Sequence, residues 1–516
     1  MGSNPIAAIS NNNKVVKKQV VIFDFFANAA RKLNNFVTKK EDGIDEKTFL
    51  EMEIANWKVS KERKEAINGF LYYDGYHDIL YKKRLAIGKG GELEEVKNLP
   101  NRKDIDNQYA IAVDKKANYF LGKPISFEGD NEQYTNLLQD IFDKKMMKRL
   151  KNMAKKSMNG AIAWVFPYYD AKGRLKFKVF PAYEILPFWE DSEHEVLGSA
   201  VRLYQVETYE GKSKKTIEKV EWYKLDGVYR YILTSDDTLK PDTEAGEYES
   251  YISLNGIPYN WDRIPLIAFK YNDSEIPLIR RVKGLQDAIN ELMSMFHNNM
   301  LEDARNTILV IENYDGQDLG EFRQNLSQYG AVKVRTGDGA KGGVNALTVE
   351  VNAGNYQAIL DLLKLTLIEN ARSFDGKMLK SGTPNQMNIL SMYQDIDIDT
   401  NDFEAEYQAA LEELLYFINV HLSLTGQGDF FEEDVKIIFN RDMLMNESEI
   451  MDTLTKSGVK ISNRTLLSQV PFIDDVDEEL EQLKKETEEA MAEYQQAFPQ
   501  QQIQQDSNNE DIEDEE

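Results

Sequence analysis

The segment PLIRRVKGLQDAINELMSMFHNNM, residues 277–300, decides how the rest of the chain is read. Pro277 suits the first turn of a helix, where its missing N–H costs nothing. From there Val282, Leu285, Ile289, Leu292, Phe296 and Met300 recur at three- and four-residue steps, the period of one helix face. A second helix repeats the pattern through Ile359, Leu363, Leu367 and Ile368. Between them Thr307–Glu312 and Ala331–Arg335 read as short strands. Ser373–Gln386 is then a polar loop, after which the chain stays helix-compatible to about Leu424. Two helices that leave a body, carry a small insert and return form a stalk. That arrangement suits assembly rather than catalysis.

Composition narrows the function classes. A chain of 516 residues exceeds one hydrophobic core, so about two to four domains are expected. The formal net charge of −26 opposes free-standing nucleic-acid binding, because the long-range field repels phosphates. The same charge suits a protein that lets DNA pass without sticking. There is no cysteine, which excludes disulfides, thiolate nucleophiles and thiolate metal sites. No run of 18 apolar residues predicts a transmembrane helix, and no signal-peptide core is present, so a cytoplasm-like compartment is expected.

Upstream of the stalk, Glu46–Tyr73 reads as helical, with Trp57 and Ile67 on its apolar side. Ile105–Leu121 is a helix closed by Gly122 with Pro124 beyond it, a C-cap pattern, and Leu137–Lys156 is another, rich in Lys and Met. Strand signals follow at Ala161–Tyr168, Leu175–Phe180, Ser199–Glu207, Thr216–Lys224 and Gly227–Leu233, with turns at Asp170–Gly173 and Asp226-Gly227. These predict a body with a mostly antiparallel sheet, placing the whole in the α+β class. Past Gly426–Gly428, Val435–Phe439 is strand-like, and Asp477–Phe498 is helical up to Pro499. The last eleven residues, Asp506–Glu516, hold seven carboxylates and are expected to be disordered.

Candidate chemistry is sparse. His77, His194, His297 and His421 lie far apart with no metal-ligand spacing, and structural roles are expected for all four. Gly337-Asp338-Gly339-Ala340-Lys341-Gly342 matches GxGxxG but precedes the strand candidate Leu347–Val351, not a helix, so it reads as a hairpin tip. Asp395, Asp397, Asp399, Asn401 and Glu406 fall at EF-hand spacing, yet Thr400 takes the glycine position and the flanks read as one helix. A solvated acidic face, or one lining a channel, is the expectation. Lys144–Lys156 reads as a solvated basic face or a salt-bridge partner between subunits. No catalytic residue, metal or cofactor is expected. The loop Ser373–Gln386 stands out, because loops this long inside compact domains are usually functional or disordered. Its Lys377 and Lys380 suit transient phosphate contact, with Gly376 and Gly382 as hinge points.

One family orders such features the same way. A helix runs from Asn107-Gln108-Tyr109 through Val113-Asp114 to Tyr119-Phe120-Leu121-Gly122-Lys123-Pro124-Ile125. Then come Trp261-Asp262-Arg263-Ile264-Pro265, Glu275-Ile276-Pro277-Leu278 at the stalk entrance, and Phe472-Ile473-Asp474-Asp475 with Glu478-Glu479-Leu480 near the end. Over residues 45–490 the chain resembles portal proteins of tailed bacteriophages, of the type found in long-tailed phages of Gram-positive hosts. The resemblance implies a portal fold: a wing at 45–275, stem helices at 276–306 and 353–373, and a clip at 307–352. It further implies a tunnel loop at 374–386, a long wing-crossing helix at 387–425 and a helical crown at 426–495. Residues 1–44 and the acidic tail 496–516 match nothing in that pattern.

The resemblance implies a ring of identical subunits, twelve in the usual case, at one capsid vertex, through which double-stranded DNA is packaged and ejected. Twelve copies carry about −312, which suits a conduit that must not adhere. Implied partners are the terminase large subunit, the head-completion adaptor, and the major capsid and scaffolding proteins, with assembly in the host cytoplasm and no membrane. Asp338, Gly339, Lys341 and Gly342 would form the docking edge of the clip. Two other readings stay open: a phage nuclease or hydrolase using Mg²⁺ at Asp395–Asp399, and a non-conducting helical scaffold or adaptor.

Overall fold

The computed structural model describes residues 45–87, 92–97, 99–170, 172–254, 256–303, 308–312, 343–347, 353–374, 386–441, 479–480 and 482–487. The chain divides into two compact units, Met1–Asp375 with Asp395–Asp442, and Gly376–Gln394 with Met443–Glu516. In the second unit the described residues 386–394, 479–480 and 482–487 are helical. Among the described residues every strand falls in the first unit. No helix among them is long and apolar enough to cross a membrane.

The chain opens with helices α1 (Glu46–Lys58) and α2 (Lys61–Tyr73), then a hairpin of β1 (Leu85–Ile87) and β2 (Leu93–Glu95). Helix α3 (Gln108–Leu121), strand β3 (Ser126–Glu128) and helices α4 (Glu132–Ile141) and α5 (Lys144–Gly160) follow. Strands β4 (Ile162–Tyr169), β5 (Leu175–Pro181), β6 (Ile185–Trp189), β7 (Leu197–Glu210), β8 (Ser213–Lys224) and β9 (Gly227–Leu233) come next. Short strands β10 (Leu239–Pro241), β11 (Tyr248–Glu249), β12 (Ile252–Leu254), β13 (Ile257–Tyr259) and β14 (Ile267–Lys270) complete the body. Then come α6 (Leu278–Asp303), the hairpin β15 (Ile308–Glu312) and β16 (Gly343–Leu347), α7 (Ala353–Asn370), α8 (Gln386–Leu424) and β17 (Lys436–Ile438).

Every strand pairing among these residues is antiparallel. One sheet has the order β10-β9-β8-β7-β6 with β11 also on β9, and a second has the order β14-β4-β5. Alternation explains the first: Val201 and Leu203 of β7, with Val220 and Trp222 of β8, face Leu50, Ile54 and Trp57 of α1. The main core lies elsewhere. Phe120 of α3 stacks on Phe439 at 5.0 Å and lies 4.7 Å from Phe403 of α8. Phe403, Tyr407, Leu411, Leu414 and Ile418 are buried at helical spacing, which fixes the face that α8 presents to the body.

Several sequence expectations shift. The stretch 46–73 is two helices, because Ser60 turns its hydroxyl to the Arg63 amide and caps a new start at Lys61. Helix α3 begins three residues later than expected, at Gln108, capped by Asn107 on the Ala110 amide. Gly122 closes it as the C-cap, in a right-handed conformation. Strand β16 covers Gly343–Leu347; of the Leu347–Val351 candidate only Leu347 is described, and the Ala331–Arg335 strand lies outside the described residues.

Helices α6 and α7 run antiparallel. Asn299 donates to the Tyr356 hydroxyl at 3.0 Å near the insert, and Arg281 and Arg372 meet on one carboxylate at the other end. The anticipated apolar stripe is only partly covered within the chain: Val282, Ile289 and Leu367 are buried, but Met300 is 56% and Ile359 49% exposed.

Candidate functional site

Asp399 on α8 is the point where the helical hairpin meets the body. Its Oδ2 lies 2.6 Å from Lys116 Nζ of α3 and accepts from the Tyr271 hydroxyl at 2.6 Å. Its Oδ1 accepts from Arg281 at the start of α6 (3.0 Å) and from Arg372 just past α7 (3.4 Å). Four side chains, drawn from residues 116 to 372, thus converge on one buried carboxylate. Burial works to raise the Asp399 pKa, but Lys116, Tyr271 and Arg281 outweigh it and hold the group below the usual range. Burial draws Lys116 down to about 8 against the pull of Asp399, so the pair is ionised at neutral pH. Burial, then the Asp399 charge, push the Tyr271 phenol far up, keeping it a donor.

Strain marks both ends of the 278–370 excursion. Glu275 (φ 51°), just before α6, and Arg372 (φ 46°), just after α7, occupy the left-handed region that non-glycine residues avoid. Each is held by its side chain: the Glu275 carboxylate lies 2.8 Å from His194 Nδ1 and pairs with Lys270 (3.2 Å), and Arg372 pairs with Asp399. Past Arg372, Lys115 donates to the Phe374 carbonyl at 2.9 Å, holding the last described residue before α8.

A polar ladder secures α6. Asn290, Ser294 and Asn298 stand four residues apart and accept from the backbone amides of Asp106 (3.1 Å), Asp104 (2.9 Å) and Arg102 (2.8 Å). The match is geometric, because four helical residues rise about 6 Å and two extended residues about 6.6–6.8 Å. Gln286 continues the ladder, donating to the Asp106 carbonyl and accepting from the Tyr109 amide. Buried His77 receives the Asn290 side-chain N–H on Nδ1 (2.7 Å) and donates from Nε2 to the Tyr72 carbonyl (2.9 Å). Burial lowers its pKa, consistent with this neutral form.

The expectation of one acidic face over Asp395–Glu406 is corrected. Asp399 is buried, and Asp397 pairs with Arg441, which also reaches Glu404 at 2.7 Å and the Asn401 side chain. Glu406 is half-buried and Asp395 exposed, because one continuous helix turns successive carboxylates to different sides. Among the described residues no cluster of three or more His, Asp or Glu is placed to hold a metal. Lys377, Lys380, Gly376, Gly382, Asp338, Gly339, Lys341 and Gly342 lie outside the described residues. The ladder is absent from the sequence reading, although Gln286, Asn290, Ser294 and Asn298 at strict four-residue spacing on an apolar helix are its signal.

The family described as phage portal protein, SPP1 Gp6-like, matches residues 55–493. The portal protein of Bacillus phage SPP1 is 27% identical over 431 residues, covering 81% of this chain and 83% of its own length. The portal protein of Clostridium phage phiCD119 is 25% identical over 430 residues, covering 81% of this chain and 91% of its own. The chain belongs to the SPP1 Gp6-like family of phage portal proteins, and its function is that of a phage portal protein.

Proposed function

We propose that identical copies of this chain close into a ring of about twelve subunits at one capsid vertex. Double-stranded DNA passes through it during packaging and ejection without tight binding. The observation that carries this reading is the exposed apolar surface on the α6–α7 pair: Met295, Met300, Leu301, Ile359 and Leu362 are each about half exposed or more in the single chain. Such a surface calls for a partner, and a neighbouring copy supplies it in a ring. The net charge of −26 per copy keeps the passage from holding DNA.

In this reading residues 45–275 form the wing, 276–306 and 353–373 the stem, 307–352 the clip and 374–386 the tunnel loop. Residues 387–425 form the long wing helix and 426–495 the crown. Lys377 and Lys380 touch the passing backbone, with Gly376 and Gly382 as hinges. Asp338, Gly339, Lys341 and Gly342 form the edge that meets the terminase large subunit and later the head-completion adaptor. The ring assembles in the host cytoplasm with the major capsid and scaffolding proteins, helps nucleate the capsid, and is not itself an enzyme.

The Asp399 hub and the α6 ladder support this by anchoring the helical pair. Negative-stain imaging with light-scattering mass tests the ring. Closed rings with a central hole are expected; a monodisperse monomer or dimer at all salt and protein concentrations overturns the reading in favour of a helical adaptor.

A further inference from the structure

Helix α5 is out of keeping with the chain that carries it. Its sequence, KKMMKRLKNMAKKSMNG, has seven basic residues and no acidic one, in a protein of net charge −26. Met146, Leu150, Met153 and Met158 face the core, so the cations lie on the outer side. Lys155 is paired with Asp114 at 2.6 Å. Among the described residues Lys145 and Arg149, both exposed and one turn apart, have no ion-pair partner, nor does Lys176 of β5 beside them.

These three cations rim a cleft of about 210 Å³ with apolar walls from Ile141, Leu175 and Phe177. The carboxylate at its edge, Asp143, caps the helix, its Oδ1 accepting from the Lys145 and Met146 amides at 2.9 and 2.8 Å, and its one negative charge leaves the three cations in excess. His421 also lines the cleft, and burial lowers its pKa, so it adds no fixed charge at neutral pH.

We infer that this cleft docks an acidic peptide segment of a partner protein, with one aliphatic side chain set between carboxylates. Charge complementarity selects an anion, and clustered cations are a recurrent device for reading acidic motifs. Spacing agrees: residues one helical turn apart are separated by about 6 Å along the axis, close to the 6.6–6.8 Å between alternate side chains of an extended peptide. The apolar walls choose between polyanions. Duplex DNA offers phosphates but keeps its bases stacked, leaving the walls unfilled, and a long polyanion meets more of the repulsive field. A leucine or isoleucine between carboxylates fills both requirements.

The inference does not rest on ring formation and is measured on the full chain, assembled or not. The probe is a fluorescein-labelled peptide, Glu-Asp-Glu-Leu-Asp-Glu-Asp, followed by fluorescence anisotropy. Binding is expected, falling at least tenfold when Leu is replaced by Ser, and at least tenfold for Lys145→Glu/Arg149→Glu/Lys176→Glu. Lys64→Glu, an exposed charge reversal on α2, controls for net charge, and circular-dichroism melting confirms that the triple variant folds. No binding, equal binding of the Ser peptide, or capture of a duplex DNA probe in preference to the peptide would each overturn the assignment.

Discussion

Lys116 and Asp399 stand 283 positions apart in the chain and meet at 2.6 Å, with 3% and 7% of their side chains exposed. A buried ion pair adds little net stability over an apolar pair, but half of one is costly. Asp399→Asn leaves Lys116 buried beside Arg281 and Arg372 with no counter-charge. Thermal or urea unfolding is expected to show a loss of about 3–5 kcal/mol. Adding Lys116→Met should recover at least half of that loss; a loss under about 1 kcal/mol in the single variant contradicts the hub.

The α6 ladder makes a second prediction. Asn290→Ala strips partners from the Asp106 amide, the Gln286 side chain and His77 Nδ1 together. Leaving buried polar groups unpaired is expected to cost about 2–4 kcal/mol. Hydrogen exchange locates the loss: protection at Asp106 should fall while that in the distant sheet β6–β9 is unchanged.

Gly69 lies where α2 crosses α5. A Cβ there would sit 1.9 Å from the Asn159 carbonyl oxygen, a backbone atom that cannot swing aside. Gly69→Ala is expected to lower stability by about 2–4 kcal/mol, despite alanine's higher helix propensity. Unchanged or raised stability in denaturant titration would refute that close approach.

Two groups give opposite pH dependences. Burial raises Glu413 of α8 from 4.5 to about 7, only partly offset by Arg263, so it binds more protons folded than unfolded. Its contribution is full below about pH 4.5 and is lost as pH rises through 7. Glu413→Gln should therefore gain about 1–3 kcal/mol relative to wild type at about pH 8 and nothing near pH 4. His77 behaves the other way: its lowered value means stability present above 6.5 and lost as acid protonates Nδ1 against the Asn290 amide. Unfolding free energies of wild type, Glu413→Gln and His77→Gln from about pH 4 to about pH 8 check the two signs.

The range of each interaction sets how much is legible in the sequence. The helix pair 278–303 and 353–370, the long helix from 386 and the antiparallel strands are readable, because period 3.6 and period 2 are written in neighbouring residues. The break at Ser60 is not, since a cap of the right type does not say whether the chain will use it. The acidic run at 395–406 misleads for a deeper reason. Spacing alone cannot tell a solvated carboxylate from one neutralised by Lys116 or Arg441, which lie far away in sequence.

By itself the sequence determined the α+β class, the order of the main helices and strands among the described residues, the absence of thiol chemistry and the family to which the chain belongs. Only the tertiary structure decided that Asp399 is a buried junction rather than a channel lining, and that alternate amides of 102–106 zip onto every fourth residue of α6. It also decided that the basic face of α5 borders an apolar cleft. The physical reason is common to all three. Local periodicity dictates which way a side chain points on its own element, but what it meets there depends on other segments that only the fold brings alongside.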